Sequence, residues 1–239
     1  MNWSGGKDSS LCLYKVLQGD NYEIKYLLTS VNKTHKRISM HGIRIKLLQQ
    51  QAVSIDIPLK LVELPEHPEM AEYEKEMEKK IKKIKKELIH YAIFGDIFLE
   101  DLKKYREKKL DTLGIRASFP LWKISTKELI DEFITLGFKA IIVCVNEKYL
   151  DKSFCGRIID RSFINDLPEN VDVCGENGEY HSYVFDGPIF KTPIAFKKGK
   201  IVYREYAKPK NIKTEHYKPV SREEKNYGFY FCDLLPVNK

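Results

Sequence analysis

Apolar residues along the first 146 positions of the chain alternate between helical spacing and short continuous runs. The spacing of Leu11, Tyr14 and Leu17 predicts a helix over residues 8–18, and residues 24–31 predict a strand. Further helices are predicted at residues 42–54, 68–90, 99–113 and 125–136. Further strands are predicted between and after them, at residues 59–64, 91–94, 116–120 and 140–145. This order is typical of an α/β fold with a Rossmann-like parallel sheet, helices on both faces and ligands at the carboxyl ends of the strands.

The pattern changes after residue 146, where the elements become shorter and the turns more frequent. We predict a short helix over residues 156–164, a strand over residues 180–185 and a hairpin at Lys-Lys-Gly-Lys, residues 197–200. We therefore expect two domains, a larger α/β domain over residues 1–146 and a smaller α+β lobe over residues 147–239.

The predicted helix over residues 68–90 carries an apolar stripe and many lysines among glutamates. One interpretation is a basic surface that binds RNA or a protein substrate. The other is a solvated face, which is what charge runs on helices usually form, and we favour it.

Composition excludes several classes of protein. No apolar run approaches the length needed to cross a bilayer, so we expect a soluble, cytoplasmic protein without a membrane partner. The five cysteines are scattered without a Cys-x-x-Cys pair, which argues against a zinc ribbon, an iron-sulfur site or a disulfide scaffold. The net charge of +7 suits an anionic nucleotide or an RNA-bearing partner.

Residues 4–9 read Ser-Gly-Gly-Lys-Asp-Ser and lie directly ahead of the first predicted helix. Adjacent glycines can turn successive N–H groups toward an anion, and the helix N-terminus reinforces that site. Ser4 and Ser9 can donate hydroxyl bonds to phosphate, Lys7 can neutralise charge, and Asp8 can cap the helix or hold a divalent ion through water. A phosphate-binding loop is predicted here, the alternative being a glycine turn with a polar helix start.

The spacing of this loop excludes a Walker A motif, because Lys7 is followed by Asp8 and no glycine lies at the required upstream position. Only three residues precede the loop. We therefore expect the strand ahead of it to be a stub, or Met1 to be an internal methionine of a longer natural chain.

A second polar cluster reads Gly-Glu-Asn-Gly-Glu-Tyr-His at residues 175–181, with Asp-Gly-Pro at residues 186–188. In a strand, Glu179 and His181 would share one face. Its carboxylates can receive an amine, order Mg²⁺ or position ammonia, and His181 can move a proton near neutral pH. A polar hairpin with ordinary turn glycines is the alternative.

Together the two motifs resemble a known family. The hexapeptide at residues 4–9 is similar to the PP-loop of ATP pyrophosphatases, and the run at residues 174–181 resembles the signature of the diphthine-ammonia ligases, or diphthamide synthetases, within that group. Segments 40–42, 94–97 and 120–122 also resemble the family and follow in the expected order. Asn177 and His181 depart from the usual signature.

The resemblance implies an adenine nucleotide alpha hydrolase-like, ATP-binding domain over residues 1–146 and a substrate-binding lobe over residues 147–239. The residues that it implies for the nucleotide are Ser4, Gly5, Gly6, Lys7, Asp8, Ser9, His41 and Gly42. Those that it implies for substrate or ammonia are Gly95, Asp96, Asn177, Gly178, His181 and Asp186. The catalytic residues would be Lys7, Asp8, Glu176 and Glu179.

The implied activity is that of an ATP-dependent amide ligase, which adenylates a carboxylate, releases pyrophosphate and transfers ammonia. Mg²⁺ is the implied cofactor, with its protein ligands unidentified. The acceptor would be a modified histidine on elongation factor 2 or a small carboxylate. Two alternatives stay open, a PP-loop tRNA-modifying enzyme and a non-catalytic adenine-nucleotide-binding protein; the pattern leaves the oligomeric state open as well.

Overall fold

The computed structural model describes residues 1–38, 41–66, 68–207 and 226–237, so Met40 of the segment 40–42 lies outside the described residues. The helices are α1 (Lys7–Leu17), α2 (Ile45–Ile55), α3 (Met70–Lys85), α4 (Glu100–Asp111), α5 (Thr126–Thr135) and α6 (Arg161–Asn165). The strands are β1 (Leu27–Asn32), β2 (Leu59–Leu64), β3 (Tyr91–Ile93), β4 (Arg116–Ser118), β5 (Lys139–Asn146), β6 (Tyr180–Asp186), β7 (Phe196–Ala207) and β8 (Asn226–Pro236). The predicted alternation through β5 is confirmed.

Two parallel strand pairs, β1 with β2 and β3 with β4, confirm the α/β class. Residues 1–3 lie between these pairs, because the Asn2 amide donates to the Ile93 carbonyl at 2.8 Å and the Trp3 amide to the Leu28 carbonyl at 2.8 Å. The order across the fold is therefore β2, β1, residues 1–3, β3, β4. The chain adds β1 and β2 on one side of residues 1–3 and then β3 and β4 on the other side. In parallel sheets, ligands bind in the crevice at the point where the strand order reverses in this way.

Strand β5 differs from the predicted parallel sheet. It pairs antiparallel with β6 and with β8, in a sheet of order β6-β5-β8-β7. Every residue of β5 after Lys139 is buried, which explains its continuous apolar run. An apolar run records burial on both faces and does not distinguish a parallel from an antiparallel neighbour. The division of the chain at residue 146 stays a prediction.

Two local predictions were wrong. Residues 197–200 form no hairpin, since they lie inside β7, whose pairing with β8 is irregular between Lys198 and Ile201. A Cβ atom on Gly199 would lie 3.1 Å from the Asp233 carbonyl, so this glycine serves close approach of β8 instead of a turn. The helix predicted from residue 156 begins only at Arg161, because Ile158 forms a bridge with Ile141.

One core cluster supports both the parallel pairs and the antiparallel sheet. Trp3, Leu47, Phe133 and Tyr183 are all buried in it, and the Tyr183 hydroxyl donates to the Leu47 carbonyl at 3.2 Å. Both sets of strands therefore share one closely packed core.

Helix α3, by contrast, buries only Ile84, in agreement with the solvated face favoured above. Lys82 pairs with Glu78 at 2.5 Å on that face. None of the helices in the described ranges is long and apolar enough to cross a membrane.

Candidate functional site

The glycine-rich loop at residues 4–9 is a compact turn at the start of α1. Gly5 has a φ of +73°, which glycine adopts without steric cost, and Gly6 is the N-cap of the helix. The Gly6 amide donates to Ser4 Oγ at 3.2 Å, the hydroxyls of Ser4 and Ser9 lie 3.1 Å apart, and Ser9 Oγ donates to the Gly6 carbonyl at 3.0 Å. Both serines therefore line the turn where an anion would sit.

Neighbouring elements hold this loop in place. The Gly5 carbonyl accepts from the Val184 amide at 2.9 Å and from Gln51 Nε2 at 3.0 Å. The Lys7 amide donates to Ser182 Oγ at 3.1 Å. Sequence reasoning missed Gln51 and Ser182. The signal for Gln51 was its position, because a glutamine that follows Leu47 and Leu48 at helical spacing falls on the buried face of α2.

Lys7 is the buried positive centre of the site. Its side chain is 5% exposed, its Nζ donates to both Asp8 oxygens at 2.6 and 2.7 Å, and Glu176 Oε1 lies 3.9 Å away. Burial alone would lower the pKa of Lys7, but the charges of Asp8 and other neighbours, including Glu176, raise it well above its ordinary value. Lys7 is therefore protonated at any physiological pH.

The carboxyl groups around Lys7 outnumber it. Burial, and then the charge of Asp8, raise the pKa of Glu176 to about 8, although Lys7 opposes the shift. Burial and Asp8 also raise the pKa of Asp96, although Arg106, whose Nε lies 3.1 Å from an Asp96 oxygen, opposes that shift. Both carboxyl groups are thus harder to ionise than usual, and a bound cation would favour their charged forms.

The raised pKa of Glu176 predicts a pH-dependent stability. An unfolded glutamate titrates near 4.5, whereas folded Glu176 keeps its proton up to about 8. The stability that protonated Glu176 contributes to the folded protein is therefore fully present below pH 4.5 and is lost as the pH rises through 8. We expect Glu176→Gln to exceed the unmodified protein in unfolding free energy by about 1–3 kcal/mol at about pH 9 and to match it at about pH 4.

Urea unfolding at both pH values measures this difference, with Glu169→Gln, an exposed glutamate, as the control. A stability gain of Glu176→Gln that is equal at the two pH values contradicts the prediction.

The carboxylate of Glu179 accepts hydrogen bonds within and next to the second motif, the polar cluster at residues 175–181. It is 1% exposed. Its Oε1 accepts from the Asp172 amide and from Asn177 Nδ2, both at 3.0 Å, and its Oε2 accepts from the Asn177 amide at 2.8 Å. Both oxygens are thus engaged by the loop that carries Glu176, and Glu179 fixes the path of that loop beside Lys7.

His41 and His181 stack on each other next to the glycine-rich loop at residues 4–9. Their ring centroids are 4.5 Å apart, and a Cβ atom on Gly6 would lie 3.5 Å from His41 Cε1. Burial lowers the pKa of His41 to about 4, with the Ser182 carbonyl opposing and Lys7 assisting the shift. Burial, His41 and Lys7 lower the pKa of His181 well below its ordinary value. Both rings are neutral at pH 7, and within the described ranges Nδ1 of His41 lacks a hydrogen-bond partner.

The structure brings Gly95 to the loop but not Asp186. A Cβ atom on Gly95 would lie 2.9 Å from the Asp8 carbonyl, so the segment after β3 touches the start of α1. Asp186 lies at the far end of β6, where it bonds to Lys139 Nζ at 2.9 Å and accepts from the Gly187 amide at 2.9 Å.

Two cavities lie outside the loop itself. An open recess of about 390 Å³ adjoins the second motif and is bordered by Thr126, Lys127 and Asn177. A larger groove of about 750 Å³ lies between β2 and α3, and its charged lining includes Lys80 and Glu72. None of the residues that line the groove belongs to the loop at residues 4–9 or to the second motif.

Two family models match the chain. The model of the diphthamide synthase N-terminal domain matches residues 1–117, and that of the diphthamide synthase C-terminal domain matches residues 125–216. Among curated proteins, diphthine-ammonia ligase of Danio rerio is 28% identical over 123 residues, which cover 48% of this chain and 47% of the relative. The Bos taurus protein of the same description is 30% identical over 110 residues, covering 44% and 41%. The chain spans about half the length of the curated relatives it matches, or less.

Proposed function

This chain belongs to the diphthamide synthase family, and from that premise we propose that it is an ATP-dependent amide ligase. In this proposal residues 1–146 bind ATP and residues 147–239 contribute the substrate-binding lobe. The observation that carries the proposal is the distance of 3.9 Å between Lys7 Nζ and Glu176 Oε1, which joins the phosphate loop to the second motif. In this proposal the site of ATP cleavage, at residues 4–9, therefore lies beside the carboxyl groups of the second motif.

ATP phosphates would bind in the turn formed by Ser4, Gly6 and Ser9, at the positive end of the α1 dipole. Lys7 now bonds to Asp8, and a phosphate would compete for the same ammonium group. His41 supports the assignment, since its free Nδ1 could bond to the nucleotide without adding charge.

The carboxylates fit Mg²⁺, a hard cation that prefers oxygen ligands. Burial and the charge of Asp8 raise the pKa of Asp96, so a cation beside the loop would favour the charged form of this carboxyl group, which is the observation that supports a cation there. No group of three or more metal-ligating side chains occurs in the described ranges, so phosphate oxygens would complete the coordination. The metal would supply charge neutralisation for the departing pyrophosphate.

The reaction that we propose has two steps. A carboxylate oxygen of the acceptor attacks the α-phosphorus of ATP, the bond to the oxygen that bridges the α and β phosphates breaks, and pyrophosphate leaves. Ammonia then attacks the acyl carbon, and AMP leaves with the oxygen. Lys7 and the loop amides stabilise the charge that develops on pyrophosphate.

The second step requires proton acceptors. Ammonium loses one proton before it attacks, and the nitrogen loses another as the amide forms. Glu176 can accept a proton when it is ionised, and its pKa of about 8 makes it a stronger base than an ordinary glutamate. Glu179 holds the loop of Glu176 in position. The acceptor would enter from the recess beside Asn177, and we propose the diphthine of elongation factor 2, or else a small carboxylate.

Exchange of labelled pyrophosphate into ATP tests the first step separately from the second. With Mg²⁺ and the correct acid, exchange should proceed without ammonium, and ammonium should then yield amide, AMP and pyrophosphate. Elongation factor 2 that carries diphthine is the first acceptor to test, and the same protein without diphthine is the control. Release of ADP and phosphate contradicts the ligase proposal.

The same assay separates the alternatives. Exchange that depends on tRNA would assign the chain to the PP-loop tRNA-modifying enzymes. Tight ATP binding without exchange, for any acid or for tRNA, would indicate a non-catalytic nucleotide-binding protein. Fold alone does not distinguish these functions.

A further inference from the structure

The loop that carries His41 is closed at its base by two arginines. Arg37 and Arg44 pair across the loop as an isolated antiparallel bridge, and the Ile38 amide donates to the Ile43 carbonyl at 2.9 Å above them. His41 therefore belongs to a short loop whose described residues are 37, 38 and 41–44, with the Arg37–Arg44 bridge at its base. Its orientation depends on how the base of that loop is anchored.

Asp233 of β8 anchors the base. Its Oδ1 accepts from Arg37 Nη1 at 2.8 Å and from Arg44 Nε at 3.1 Å, and its Oδ2 accepts from Arg44 Nη2 at 2.6 Å. Burial disfavours the charged carboxylate, but the bonds from Arg44 and Arg37 hold the pKa of Asp233 below its usual value. Charge-assisted and partly bidentate bonds of this kind restrict geometry.

The same arginine reaches the peptide next to His41. Arg37 Nη1 also donates to the Gly42 carbonyl at 2.7 Å, so one guanidinium links Asp233 to the residue that follows the imidazole. Gly42 has a φ of +68°, and a Cβ atom there would lie 3.1 Å from the Phe231 ring. Phe231 and Asp233 are two positions apart on β8 and so share a face. Strand β8 thus contacts the loop both at its base, through Asp233, and at Gly42, through Phe231.

We propose that Asp233 is a positioning residue for the nucleotide: through Arg37 and Arg44 it holds His41 stacked on His181 against the phosphate loop. This inference rests on the proposed function in one respect, because it requires that ATP contacts His41. Asp233 lies outside both ranges that the family models match, residues 1–117 and 125–216. The positioning role of Asp233 is therefore inferred from its contacts in the structure and not from the family models.

The test compares Asp233→Asn, His41→Ala and the double variant. Asparagine keeps the shape but loses the charge. We expect each single variant to weaken ATP binding about five- to tenfold, and the double variant to bind no worse than the weaker-binding single variant. Asp166→Asn is the matched control, because Asp166 bonds to Arg157 at 2.7 Å away from this loop.

A second readout does not require ATP. The imidazole ¹⁵N signals of His181 should shift in Asp233→Asn in the direction seen in His41→Ala, and should stay unchanged in Asp166→Asn. ATP binding of Asp233→Asn equal to that of the unmodified protein, or additive losses in the double variant, overturns the inference. Failure of the unmodified protein to bind ATP would refute the proposed function, whereas the imidazole signals would still decide whether Asp233 positions His41.

Discussion

The Asp8→Ala variant is expected to release pyrophosphate about a thousandfold more slowly than the unmodified protein, or not at all. Asp8 is the carboxylate nearest to Lys7, and it lies in the first turn of α1 where the cation that accompanies ATP would bind. Its loss would remove that ligand and leave Glu176, 3.9 Å from Lys7 Nζ, as the nearest carboxyl group to this ammonium among the described residues. Single-turnover release of pyrophosphate measures the effect.

The fold should survive this change with reduced stability: truncation of the Asp8 side chain, which is 32% exposed, opens no large internal cavity, but it leaves the buried Lys7 ammonium without its nearest carboxylate. Asp20→Ala, an exposed aspartate beyond the end of α1, is the matched control. Glu179→Ala should still bind ATP, since the hydrogen bonds to its carboxylate within the described ranges come from Asp172 and Asn177 and from none of residues 4–9. Equal loss of ATP binding in Asp8→Ala and Glu179→Ala would refute this division between nucleotide and second-motif residues.

A methyl group at Gly95 is expected to weaken ATP binding by about ten- to a hundredfold, with an unfolding cost of about 1–3 kcal/mol. The added Cβ would lie 2.9 Å from the Asp8 carbonyl oxygen and 3.2 Å from the Ser9 amide nitrogen. Both atoms belong to backbone, so a side-chain rotation cannot relieve the contact. The start of α1 must move away from the segment after β3, and the phosphate loop moves with it.

Calorimetric titration with ATP and urea unfolding of Gly95→Ala measure the two effects. Gly19→Ala is the control, because the nearest atom to its added Cβ would be the Val16 carbonyl oxygen at 4.0 Å. A Gly95→Ala protein that loses stability yet binds ATP normally would show that the approach of β3 to the loop serves folding and not the nucleotide.

Features with a local physical cause were predictable from sequence. The glycine pair ahead of an amphipathic helix predicted the turn at residues 4–9, because backbone freedom and helix start are properties of neighbouring residues. Apolar spacing predicted β2 at its observed bounds and α1 within one residue of them. Ser125 was predicted as the start of α5 and is its N-cap, although its side chain makes no capping bond.

Features that depend on distant partners were not predictable. The apolar run of β5 indicated burial, but its antiparallel neighbours, β6 and β8, follow later in the chain. The lysines at residues 197–200 resembled a turn, although pairing with β8 keeps them extended. Asp233 carried no local signal at all, since the two arginines that bond to it lie in the first part of the chain.

The sequence by itself determined which chemical groups are available: a glycine turn ahead of a helix, a lysine followed by an aspartate, and a second motif rich in carboxyl groups. Tertiary structure alone decided that Glu176 lies 3.9 Å from Lys7, that His41 stacks on His181, and that Asp186 lies elsewhere. The reason is physical. Local backbone preferences act between neighbours, whereas the charges and pKa values of a site depend on groups that only packing of the core brings together.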